Sequence, residues 1–144
     1  MKRKYFSVVL FLILAILLSG CGGGDSTKSG GVITTEIKQE IKNINEGSAS
    51  KYISITNIKE SVGTSVSVDV EFLYEPESYD EVKIWTDSVC KSCHKVLKKY
   101  NINYSIYVWA KRPKGEGFIK IYGRTNYDKY SGIFKFKDAK ELNL

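Results

Sequence analysis

From Lys51 to the end of the chain, apolar and polar residues alternate in short runs, broken by one long stretch with a helical period. The clearest run is SVSVDVEFLY. In it Val66, Val68, Val70, Phe72 and Tyr74 point one way and Ser65, Ser67, Asp69 and Glu71 the other, as in a strand with one wet face. A weaker strand over Lys51–Lys59 rests on Ile53, Ile55 and Ile58, and ESVGTS between the two supplies the turn of an antiparallel hairpin. Three more alternating runs, NYSIYVWAK, GFIKIYGRT and GIFKFKD, are separated by the turn-rich RPKGEG and NYDKYSG. They read as a three-stranded meander.

Between hairpin and meander the period changes. Val82, Trp85, Val89, Cys93, Val96, Leu97 and Tyr100 fall on one side of a helical wheel. Ser78 to Glu81, SYDE, has the form of a capping box, in which the serine hydroxyl takes a backbone N–H and the glutamate reaches back. Acids crowd the amino end (Glu77, Asp80, Glu81, Asp87) and lysines the carboxyl end (Lys91, Lys95, Lys98, Lys99), as the helix dipole favours. Pattern, cap and charge predict a helix from about Tyr79 to Tyr100.

The expected architecture for 51–144 is a single α+β domain: a five-stranded antiparallel sheet made of hairpin, long helix and three-stranded meander, with one helix packed on a face. Residues 21–50 read as a flexible tether. It opens with GGGDSTKSGG, which has nothing apolar to bury. Over Thr35–Asn45, Ile33, Ile37, Ile41 and Ile44 make a narrow apolar stripe, and the favoured reading is a short amphipathic helix that packs on the domain rather than a partner-binding segment.

The amino terminus reads MKRKYFSVVLFLILAILLSGC. Lys2, Arg3 and Lys4 precede an apolar run from Tyr5 to Leu18 that is too short to span a hydrocarbon core, which takes roughly 20 apolar residues. Leu18, Ser19, Gly20 and Cys21 resemble the lipobox of bacterial lipoproteins. The resemblance covers residues 1–21 only, with 1–20 as the signal peptide. It implies a diacylglycerol on the Cys21 thiol, cleavage between Gly20 and Cys21, and further acylation of the new amino terminus. Several acyl chains hold a protein on a membrane where one is marginal. The implied location is the cell membrane or outer membrane, with the domain outside the cytoplasm.

Charge sharpens this picture. The chain carries +6, but three of its 22 basic residues leave with the signal, so 19 basic residues face 16 acids and the balance falls to +3. That remainder is polarised: residues 21–90 hold 6 lysines and 12 acids, and 91–144 hold 13 lysines or arginines and 4 acids. The basic, aromatic second half places Trp109, Lys111, Arg112, Lys120, Tyr122 and Arg124 on meander strands, together with Tyr127, Lys129 and Tyr130. These are the candidates for a face that binds an envelope protein or an anionic surface, against the plainer reading of a solvated sheet face. Outside the cytoplasm nothing motivates nucleic acid.

The stretch VCKSCHK holds the remaining chemistry. Cys90, Cys93 and His94 match the pattern by which c-type cytochromes attach haem, and export to an oxidising compartment suits that reading. The common sixth ligands are missing: the single methionine is Met1 and His94 is the single histidine. A local resemblance to thioredoxin-like active sites lacks their downstream cis-proline strand. Zinc lacks ligands, since two cysteines and the adjacent His94 cannot all turn inward from one helix. On the expected helix Cys93 is central to the buried face, Cys90 lies at its margin and His94 beyond it toward solvent. The expected role is therefore structural, with the pair either as thiols or as a strained disulfide. No nucleophile motif or phosphate loop is present, so the expected function is non-catalytic, with no cofactor and no metal. The sequence points to a lipid-anchored envelope lipoprotein presenting a small binding or scaffolding domain. The alternative is a membrane-tethered monohaem electron carrier using Cys90, Cys93 and His94.

Overall fold

The computed structural model describes residues 30–144. The signal segment, Cys21 and most of the glycine-serine stretch lie outside the described residues.

Strands β1 (Ile53–Ser61) and β2 (Ser65–Phe72) form the expected hairpin. The three-residue turn Val62–Thr64 uses Gly63 at φ 78°, a left-handed conformation that a side chain resists, and the Thr64 N–H closes it on the Ser61 carbonyl. In β2 the alternation is complete: Val66, Val68, Val70 and Phe72 are buried and the residues between them are half-exposed.

Helix α2 (Tyr79–Lys99) starts where the capping box places it. The Ser78 hydroxyl accepts the Glu81 N–H at 3.2 Å, and the Glu81 carboxylate accepts the Glu77 N–H at 2.9 Å. It ends at Asn101, which takes φ 54°, while the Ile102 N–H bonds back to Leu97 and the Asn101 N–H to Lys98.

The helix also settles strand direction. At 1.5 Å per residue it spans roughly 30 Å, about the length of a nine-residue strand, so it returns the chain to the end where β2 began. Strand β3 (Ser105–Pro113) therefore runs parallel to β2, with Ser65 opposite Ser105 and Glu71 opposite Lys111. The sheet is mixed, not antiparallel throughout as the pattern suggested. Strands β4 (Ile119–Asp128) and β5 (Ile133–Asp138) continue antiparallel, giving the order β1-β2-β3-β4-β5.

Among the described residues two α-helices, not one, cover the sheet. Helix α1 (Gly30–Glu46) lies against α2 and β1, so the packed unit includes the helix that was expected within the tether. Ile33, Ile37 and Ile41 are fully buried, and each buried isoleucine is worth about 1.5–3 kcal/mol relative to exposure. The ion pairs Lys95–Glu40 and Lys99–Glu36 across the same seam are exposed, where such pairs contribute about 0–1 kcal/mol. The apolar stripe holds α1 in place, and the crossed pairing of Glu36 with Lys99 and Glu40 with Lys95 shows that it runs antiparallel to α2.

These directions give the domain two distinct ends. One, the hairpin end, collects the start of α1, the β1–β2 turn, the end of α2 and the β4–β5 turn. The other carries the end of β2, the start of α2, the β3–β4 turn and the carboxyl terminus.

Candidate functional site

The cysteines of VCKSCHK are both buried in the core beneath the sheet and both are free thiols. Cys90 is not marginal, as the helical wheel suggested, because β4 and β5 reach under that flank of α2 and close it. Burial raises both thiols, Cys93 to about 12 and Cys90 further, its rise reinforced by Cys93 and Asp87 nearby. A thiolate nucleophile is therefore disfavoured at neutral pH. Thioether attachment of haem would need both sulfurs at a porphyrin edge, which requires α2 to lift from the sheet.

His94 does not face open water either. Its ring lies 4.3 Å from that of Tyr127 and 5.4 Å from that of Phe134, which are 4.8 Å from each other, in a half-buried cluster under β4 and β5. Burial, with Lys98 adding to it, lowers the imidazole below its usual 6.5. Deeper in the same layer the Thr86 hydroxyl, which donates to the Val82 or Lys83 carbonyl, lies 2.8 Å from the Thr125 hydroxyl, and Thr125 donates to Asp87 at 2.7 Å. This chain satisfies the buried hydroxyls where helix meets sheet. Among the described residues no group of three or more His, Cys, Asp or Glu side chains is placed to hold a metal.

The six meander candidates divide into two groups. Trp109, Lys111 and Arg124 lie on the sheet face without helices. The Arg124 guanidinium sits 4.5 Å from the centre of the Trp109 ring and 5.1 Å from that of Tyr107, and Lys111 pairs with Asp69 of β2 at 2.9 Å. Burial lowers the Arg124 pKa, offset in part by Tyr107. The stack is half-buried, so a cation–π contact of this kind is worth about 0.5–2 kcal/mol.

Arg112, Lys120 and Tyr122 are on the other side. The reason is a bulge: Ala110 pairs with Gly123 and Lys111 with Ile121, which leaves Tyr122 without a partner. Tyr122 and Arg124, two positions apart, thereby face opposite ways, and the Tyr122 ring is buried 5.9 Å from Phe72. Arg112 donates to Glu75 at 2.6 Å, and Lys120 donates to the same carboxylate. Lys120 is the first cause of the Glu75 carboxyl falling to about 2, and the Tyr122 hydroxyl lies beside it without closing a well-formed hydrogen bond.

This trio borders a groove of about 690 Å³ at the end of the domain opposite the hairpin turn. Tyr79, Val82, Ile119, Tyr122 and Leu144 give it apolar walls, and Glu75, Lys120 and Lys140 a mixed-charge rim. Sequence reading missed the groove because its walls come from three separated segments, residues 75–82, 119–122 and 139–144. The exposed Phe118–Ile119 pair after the β3–β4 turn is the one local hint.

No family model matches the chain, and no curated protein or solved structure matches it either. Among the described residues no helix is long and apolar enough to cross a membrane.

Proposed function

We propose that this chain is a lipid-anchored envelope protein, held at a membrane by acyl chains on Cys21, whose domain is a non-catalytic binding module. The resemblance of residues 1–21 to a lipoprotein signal supports the anchor. The observation that carries the binding role is the one-sided sheet. Both helices pack on one face, and the other presents Trp109, Tyr107, Lys111 and Arg124 as a pre-stacked aromatic and cationic surface. Aromatic and arginine side chains with little freedom left to lose are the groups that dominate binding free energies. An envelope protein or another anionic partner fits that chemistry, and haem chemistry at Cys90, Cys93 and His94 is not part of the reading.

The anchor is tested with Cys21→Ser, which should leave the protein unprocessed or release it from the membrane fraction. Unchanged retention and acyl labelling would overturn it. For the face, a photo-crosslinking residue at Tyr107 in living cells should give a discrete adduct that Arg124→Glu abolishes and Lys114→Glu spares. Adducts insensitive to Arg124 would remove this face from the proposal.

A further inference from the structure

The directions of α1 and the strands bear on how the domain sits relative to the bilayer that holds it. We propose that the hairpin end is a membrane-docking surface that rests in the head-group layer beside its own anchor. This rests on the reading of Cys21 as the lipidated residue.

The link between Cys21 and the domain is short. Helix α1 begins at Gly30, so eight residues, or nine Cα–Cα steps, separate its first residue from Cys21. Fully extended they reach roughly 30 Å. Helix α1 starts at the hairpin end, as its pairing of Glu36 with Lys99 and Glu40 with Lys95 requires. The groove end is a strand length further away, roughly 30 Å. The tether therefore holds the hairpin end near the lipid surface at high effective concentration, so weak contacts suffice to fix the orientation.

Apolar and aromatic side chains project at the hairpin end. Val62 at the tip of the β1–β2 turn is 63% exposed, Tyr130 in the β4–β5 turn 86%, Ile133 just after it 60%, and Tyr100 at the end of α2 37%. Phe118, Ile119 and Leu144 are as exposed at the other end, so the argument rests on the tyrosines: tyrosine is enriched where bilayer meets water, and Tyr130 and Tyr100 stand at two of the hairpin-end tips. Lys129 lies 5.2 Å from the centre of the Tyr130 ring, so that projecting ring carries an ammonium suited to lipid phosphate, and Lys98 is exposed at the end of α2, where the neighbouring Lys99 is taken by Glu36. Of the acids at this end, Glu36 holds Lys99 and Asp128 accepts the Tyr130 N–H and the Ser131 hydroxyl, while the Glu60 carboxylate near the end of β1 is turned out of water and has no hydrogen-bond partner. Gly63 and Gly132 take left-handed φ of 78° and 69°, and Asp128 fastens the second turn internally.

In this orientation the strands stand up from the membrane, and the groove with Phe118, Ile119 and Leu144 points away from it.

The test uses the mature protein extracted from membranes and reconstituted in vesicles of phosphatidylcholine with phosphatidylglycerol. Single cysteines at Tyr130→Cys, Val62→Cys and Phe118→Cys carry an environment-sensitive dye, and the buried Cys90 and Cys93 do not compete for it. The expected result is a blue shift and strong quenching by lipid-borne nitroxide at positions 130 and 62, with a water-like probe at 118. Lys98→Glu combined with Lys129→Glu should weaken the quenching while near-ultraviolet circular dichroism stays unchanged. A water-like probe at 130, or quenching at 118 instead, overturns the proposal. The acyl mass of the amino-terminal peptide separates the two readings. Without it the anchor fails and docking with it, whereas an acylated, floating protein with a water-like probe at 130 sinks docking alone.

Discussion

The two faces of the sheet come from the same strands, yet they divide the work of the domain. The face under the helices carries Ile53, Val66, Val68, Val70, Phe72, Ile106, Val108 and Ala110, all buried and all apolar. The uncovered face carries Ser67, Asp69, Glu71, Tyr107, Trp109, Lys111 and Arg124 at intermediate exposure, held by ring stacking and an ion pair. Stability is concentrated where water is excluded on both sides of a side chain. The open face keeps its side chains partly in water, and it is these groups that the proposed recognition role would use.

The largest contrast is expected between one aromatic residue from each face. Phe72→Ala should lower the unfolding free energy by about 3–5 kcal/mol, and Trp109→Ala by about 1 kcal/mol, read from urea transitions with unchanged slope. Similar losses would remove the distinction between the faces.

Gly123 comes next, because it belongs to neither face in the usual sense. A Cβ there would meet the Lys137 carbonyl at 2.6 Å and the Phe136 ring at 2.7 Å. Gly123→Ala should therefore cost about 1–3 kcal/mol by forcing β4 and β5 apart. An unchanged thermal midpoint would show that the ring moves aside freely. Ser78→Ala, which removes the cap that starts α2, should cost about 0.5–2 kcal/mol in the same measurement.

The smallest expected effect is a pH dependence under the covered face. Burial, and Lys98 after it, holds His94 below 6.5 in the folded chain, so the unfolded chain takes up the proton first. Stability should be level above about pH 6.5, decline as pH falls through the interval below it, and level off beneath the folded value. His94→Phe should flatten the curve between pH 7 and 5.5, above the range where ordinary carboxylates titrate. A slope of the opposite sign would place His94 in a charged, solvated setting.

Much of this architecture is legible in local pattern. The alternation of β2, the capping box at Ser78 and the breaks around the meander strands each depend on neighbours in sequence, and each appears where expected. The parallel pairing of β2 with β3 is not local. Still, the length of α2 alone returns the chain to its starting end, so a ruler applied to Tyr79–Lys99 would have revealed it. The division of the six meander candidates could not be read, because strict alternation puts Tyr122 and Arg124 together and only the unpaired residue at the bulge separates them. The full burial of Cys90 likewise depends on β4 and β5, strands more than twenty residues further along the chain.

The parallel pair at the centre of the sheet also governs how the chain finds its shape. The β1–β2 hairpin and the β3–β5 meander each close through turns of a few residues, whereas Ser65 meets Ser105 only across about forty intervening positions. Loop closure over that span is entropically demanding, so each half can assemble quickly while their junction waits for α2 to lie down between them. The kinetic bottleneck should then fall on the β2–β3 seam and the helix above it. Mutations at Val68, Val108 or Val89 would slow folding, while those in the outer β5 strand would chiefly hasten unfolding.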